Sequence, residues 1–283
     1  MTAFSAFPLS FYLQMSNVQY ALIVAPLIAL CSALLGVCLV LRRYSLIGDG
    51  LSHVTFGTMA VGAITGIAEL YISLPVTVLT AVLLLCSGER SKVKGDASVA
   101  MISVGSLGIA YLLFNQFGDG NAAQDVCKVL FGNATIISLK LPEVIISIAL
   151  AVVVLAFYFI FYHKIFAVTF DASFAQATGV HAKAYNLAFA IVTGIVIVLA
   201  TKLVGALLIT ALIVFPTVSA MRLFRSFRAV TVCAAVISVA CSLAGVFLSL
   251  LAGFSAGSAI VVANIAVFLL FSLLSLVIRR KKA

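Results

Sequence analysis

Residues Val144–Tyr162 read VIISIALAVVVLAFYFIFY, nineteen positions without a charge. At about 1.5 Å of rise per residue, a helix of that length nearly matches the roughly 30 Å hydrocarbon core of a bilayer. The run is bounded by charge, with Glu143 before it and Lys164 just after it. Comparable apolar runs recur along most of the chain: 64% of the 283 residues are hydrophobic, only 9% are charged, and mean hydropathy is +1.30. No soluble domain fits between them, so the expected fold is an all-α integral membrane protein forming one transmembrane domain over residues 1–283. Spans are predicted at 18–41, 46–67, 70–87, 99–117, 143–162, 185–202, 205–221, 229–252 and 259–278. That is a polytopic bundle of about nine helices, with eight as the nearest alternative count and Lys202–Gly205 as either a true outer loop or a sharp break.

The cations between these runs set the expected orientation. Arg42 and Arg43, then Arg90, Lys92 and Lys94, then Lys164 and Lys183, then Arg222, Arg225 and Arg228, and finally Arg279–Lys282 hold 14 of the 17 lysines and arginines. With those segments cytoplasmic, the N-terminus lies outside and the C-terminus inside. The net charge of +9 is then the positive-inside bias facing membrane lipid, and no nucleic acid is needed to explain it. The first 41 residues hold no Lys or Arg, so no cleaved signal peptide is expected. Six cysteines form no CxxC pair and are expected to be packing residues.

Two connections are long enough to hold structure. In the outer one, VLFGNATII is too short to span and reads as an interfacial or re-entrant piece. In the inner one, Asp171 is a predicted N-cap before SFAQAT, with Gly179 as the stop, which gives a short cytoplasmic helix between two spans.

One acidic residue falls neither outside nor inside. Asp49 lies in IGDGLSHVTFG, residues 47–57, four positions before His53. An ionisable group within a span costs roughly 3 kcal/mol, so it is normally paired, buried against protein, or beside a wet path. At i and i+4 the two side chains project from one helix face about 6 Å apart along the axis, with Ser52 and Thr55 close by. A carboxylate and a neutral imidazole are donors for Zn²⁺, Mn²⁺ or Fe²⁺, but two are too few for tight binding by one chain. Spacing alone leaves a second reading, in which Asp49 is a cap or counter-ion beside Arg43 and His53 bonds a carbonyl. His163 and His181 read as solvated or interfacial, and Pro216 as a kink. Asn264 and Lys202 each suit either a channel wall or an ordinary interhelical or snorkelling role.

Five segments taken in order, RRYSLIGDGLSHVTFGTMAVG, VLFGNATIISLKLPEV, FDASFAQATGVHAKAYN, KLVGALLITALIVFPTVSA and FSAGSAIVVAN, together resemble the permease subunit of the ABC importers for zinc, manganese and iron. The resemblance runs from about residue 20 to 275. It implies a bacterial inner-membrane permease that works as a homodimer with two cytoplasmic ATPase subunits and an extracytoplasmic metal-binding lipoprotein. By the same resemblance Asp49 and His53 contact the transported ion, and the segment 163–184 couples to the ATPase around Asp171, Ala175 and Gly179; their position in the spans, apart from the resemblance, makes Ser52, Thr55 and Asn264 candidates for the path wall. The implied cargo is a divalent metal, zinc first, manganese or iron next, with no permanently bound cofactor. Gly50 after Asp49 and the VFPTVSA stretch depart from the commoner pattern without removing a ligand.

Other functions fit less well. The chain has no GxxxxGK[ST], so any ATP hydrolysis belongs to a separate subunit, and the absence of HExxH argues against an intramembrane metalloprotease. A gradient-driven transporter using the Asp49–His53 pair as a proton relay is the alternative; it predicts an inverted repeat, and no long repeat is detectable.

Overall fold

The computed structural model describes residues 16–87, 95–117, 141–253 and 255–280. Among them the chain is helical nearly throughout: α1 (Ser16–Leu41), α2 (Ile47–Thr65), α3 (Glu69–Ser87), α4 (Gly95–Phe117), α5 (Leu141–Ile160), α6 (Tyr162–Phe170), α7 (Ala172–Ala177), α8 (Ala182–Val204), α9 (Ala206–Leu223), α10 (Phe227–Ala252) and α11 (Ala256–Arg280). Nine of these are long, at the nine places where the sequence predicts spans. Eight are both long and apolar enough to cross a membrane; the exception is α2, the helix that holds Asp49 and His53. The stretch VLFGNATII and the cluster Arg90–Lys94 lie outside the described residues.

Helix α1 is the hub. Of its most apolar window 72% is buried, against 17% for α4 and for α11, whose outer faces are left to lipid. Its neighbours approach closely where it is small: a Cβ on Gly36 would stand 2.5 Å from the carbonyl oxygen of Ile213 in α9. Gly245 of α10 meets Ile260 of α11 in the same manner. Without a hydrophobic force between helices in lipid, such close backbone contact supplies much of the packing energy.

Hydroxyls are buried throughout this apolar bundle, and most return their proton to their own helix. Thr193, Thr201, Thr217 and Thr231 each donate to the carbonyl four residues earlier, at 2.7–2.9 Å, which removes the cost of an unpaired polar group. Helix ends are closed by local chemistry. Ser226 caps α10, and Gly66 and Gly253 terminate α2 and α10 at φ 71° and 69°. Gly205 (φ 98°) alone separates α8 from α9, so the sharp break is what the fold adopts there. Helix α9 runs on through Pro216 without ending.

The basic ends are tied together. Arg42, just beyond α1, donates from Nη1 to Asn186 Oδ1 in α8 (2.7 Å) and from Nη2 to Thr169 Oγ1 in α6 (3.2 Å), with its guanidinium 5.1 Å from the Phe189 ring centroid. Tyr44 donates to the Leu84 carbonyl near the end of α3, and Ser275 of α11 to the Arg222 carbonyl in the last turn of α9.

Candidate functional site

The glycines of IGDGLSHVTFG are explained by what α2 is wedged between. A Cβ on Gly48 would meet Ile213 and Thr210 of α9, one on Gly50 would meet Val99 of α4, and one on Gly57 would meet the Ser106 carbonyl of α4. The helix bearing the ionisable pair is therefore clamped on two sides at backbone distance. Gly50 is the residue that lets α4 close in beside Asp49.

Asp49 sits in the first turn of α2, partly exposed, and His53 one turn on is mostly buried, at 36% and 12% side-chain exposure. Asp49 Oδ1 stands 3.4 Å from His53 Nε2, and Ser103 Oγ of α4 donates to Asp49 Oδ2 at 3.3 Å. The buried Nδ1 of His53 has no hydrogen-bond partner. An N···O separation of 3.4 Å is long for a hydrogen bond, but it is about the edge of a tetrahedron of ligands roughly 2.1 Å from a metal. The pair is thus spaced to share an ion as well as to face each other. No group of three or more His, Cys, Asp or Glu that could hold a metal occurs among the described residues.

Asp49 also faces a half-open cavity of about 470 Å³ between α2, α9 and α11, with walls that include Leu46, Thr210, Phe215, Ser258 and Val261. Among the described residues Asp49 is the one ionisable group that lines it, and His53 does not line it. Thr210 Oγ1 is buried without a hydrogen-bond partner. Sequence reasoning missed Thr210 and Ser103. Both are single hydroxyls in apolar helices, and only the approach of α9 and α4 to α2 brings them to Asp49.

The other predicted residues separate. Ser52 is buried and donates to the Asp49 carbonyl at 2.8 Å. Thr55 faces α3, with Oγ1 bonded to the Leu51 carbonyl and 3.1 Å from Thr77 Oγ1. Asn264 is 1% exposed and donates to the Ile260 carbonyl, while its Oδ1 is unpartnered; it is not a wall of the Asp49 cavity. Lys202 is exposed in the last turn of α8. Far along the chain, Asp171 Oδ1 accepts from the Phe174 amide (2.9 Å) and caps α7, as predicted, with Gly179 following the helix at φ 87°. Ala175 is buried with Val168 and Ala182, which seats α7 on α6 and the start of α8.

The sequence model of the ABC 3 transport family matches residues 14–275. The chain belongs to that family. It is 26% identical over 259 residues to the manganese transport system membrane protein MntC of Halalkalibacterium halodurans, covering 91% of this chain and 87% of the relative. It is 27% identical over 251 residues to the manganese import system permease protein ScaB of Streptococcus gordonii, with 89% and 88% coverage. Among solved structures it matches PsaBC from Streptococcus pneumoniae in complex with Fab, at a TM-score of 0.78 and 23% identity over 93% of this chain and 95% of that one. At that identity the match fixes the fold: this ABC 3 family member is a multi-pass helical membrane protein, a transport component.

Proposed function

We propose that this ABC 3 family chain is the permease of an ATP-driven importer for a divalent transition metal, and that Asp49 and His53 are the ligands its cargo meets within the membrane. The observation that carries the reading is the pair itself: a carboxylate and an imidazole 3.4 Å apart on a helix clamped by α4 and α9, with the carboxylate on the wall of a cavity. The relatives reported above are named for manganese, which supports reading manganese ahead of zinc.

With the basic ends cytoplasmic, the Leu207 and Gly257 side of the cavity is its outer side. A cation released there by an extracytoplasmic binding lipoprotein exchanges part of its hydration shell for Asp49 and His53, and two ligands hold it too weakly to trap it. A second copy across the path supplies two more, which is the reason for a homodimer. Cytoplasmic ATPase subunits dock on residues 163–184, where Asp171 and Ala175 fix α7. Arg42 ties α6 to α8, so a push on this segment reaches the spans as one movement.

The test is uptake of manganese and zinc in cells lacking their own importers, with the ATPase and binding protein co-expressed. Asp49→Asn and His53→Ala, matched to wild type for membrane level, should lose uptake of the transported metal. Wild-type uptake by both variants would sink the assignment.

A further inference from the structure

A groove of about 630 Å³ lies on the side of α1 away from Asp49, between α5 and α10. These two helices pack on α1 and meet each other through few contacts: the Tyr158 hydroxyl stands 3.3 Å from Thr231 Oγ1, and just beyond α5 the ring of Tyr162, at the start of α6, is 5.7 Å from that of Phe227. Away from this joint the floor and walls are apolar, with Leu30 and Leu34 of α1 beneath, and Leu155 and Phe159 facing Val232 and Val236. From residue 228 to residue 236 the α10 wall rises about 12 Å.

The groove changes character at one end. Arg228 and His163 form opposite sides of its lip, both exposed, where α10 begins and α5 passes into α6. Arg228 has no hydrogen bond or ion pair among the described residues. The neighbouring cation Lys164 is turned away, with Nζ 5.2 Å from the Tyr185 ring centroid. Asp96 and Asp171 are the acidic residues described near the basic ends, and neither reaches the groove. The lip therefore presents unneutralised positive charge at the level of the headgroups, above a channel fit only for hydrocarbon.

We propose that this groove is a binding site for an anionic glycerophospholipid, its phosphate at Arg228 and His163 and one acyl chain laid between α5 and α10 over Leu30 and Leu34. The occupant matches the site in both parts, since a guanidinium pairs well with phosphate and its stem lies along apolar wall. A second copy of the chain fits poorly, because its own basic end would bring like charge to the lip. Phe227, next to Arg228, packs on Tyr162, Phe166 and Phe170, so the lipid would brace the joint between α10 and α6.

The experiment uses the full-length chain, delipidated in detergent, with phosphatidylglycerol and phosphatidylcholine as probes and retained lipid read by native mass spectrometry. Wild type should keep one phosphatidylglycerol per chain in preference to phosphatidylcholine. Arg228→Gln should weaken phosphatidylglycerol about fivefold and leave phosphatidylcholine unchanged. Ala235→Phe, which fills the apolar channel without touching the lip, should also lower phosphatidylglycerol retention. Three results overturn the site: phosphatidylglycerol held by both variants as well as by wild type, equal retention of the two lipids by wild type, or full displacement of the lipid by inorganic phosphate. Efficient disulfide formation between copies carrying Val232→Cys would overturn it too, by giving the groove to a second chain.

Discussion

The same substitution should have opposite signs at different glycines of this bundle. Replacing Gly245 by Ala places a Cβ 2.5 Å from Ile260 Cα and 2.7 Å from its nitrogen, and Gly36→Ala places one 2.5 Å from the Ile213 carbonyl oxygen. Carbon atoms rest at about 3.5–4.0 Å, so each change forces neighbouring helix backbones apart by about 1 Å. Backbone cannot rotate away as a side-chain tip can. Overpacking of this kind costs about 1–3 kcal/mol, against a gain of about 0.5–1 kcal/mol for Ala over Gly in a helix, leaving a net loss of up to about 2.5 kcal/mol. Gly105 and Gly108 of α4 have nothing within 4 Å, so Ala there keeps only the gain. The assay is thermal denaturation of the full-length chain in detergent, followed by size exclusion of a fluorescent fusion. Gly36→Ala and Gly245→Ala should melt below wild type, and Gly105→Ala and Gly108→Ala at or above it. If Gly245→Ala melts with Gly108→Ala, the close approach of α10 and α11 is wrong. A Gly108→Ala protein that melts below wild type would refute the open face of α4.

Other predictions follow from the site and its supports. Thr210→Val removes a buried hydroxyl that has no partner, so the protein should melt no lower than wild type, by up to about 1 kcal/mol of gain, while metal uptake falls because the cavity loses an oxygen. Arg42→Ala breaks the bonds to Asn186 and Thr169, worth about 2–4 kcal/mol together. In the assembled transporter it should leave ATP hydrolysis running while uptake per ATP drops, and Arg42→Lys should restore part of it; unchanged coupling in Arg42→Ala would exclude the strut.

Much of the bundle was legible in the order of residues. Lipid accepts no unpaired backbone, so an uninterrupted apolar run such as Val144–Tyr162 has little choice but a helix, and its length is fixed by the bilayer. The cap at Asp171 was readable for a similar reason: a short side chain bonds an amide three residues on, whatever surrounds it. Asp49 stood out because a carboxylate has no cheap place in such a chain, and His53 because four residues bring it to the same face. What those residues touch was not legible. Contacts across helices depend on which faces meet, and in a chain apolar on all sides no periodic stripe marks the face. Only the assembled bundle turned Thr55 toward α3, buried Asn264 away from the cavity, brought Ser103 and Thr210 beside Asp49, and opened the groove under Arg228. The sequence by itself determined that the chain is a bundle of apolar helices, roughly where each long one lies, and which carries charge into the membrane, because these follow from local chemistry and the solvent; it left eight or nine spans open and did not show α6 as a separate helix. Tertiary structure alone decided which small residues let helices close and which gaps remain, because close packing is settled jointly by side chains far apart in the chain.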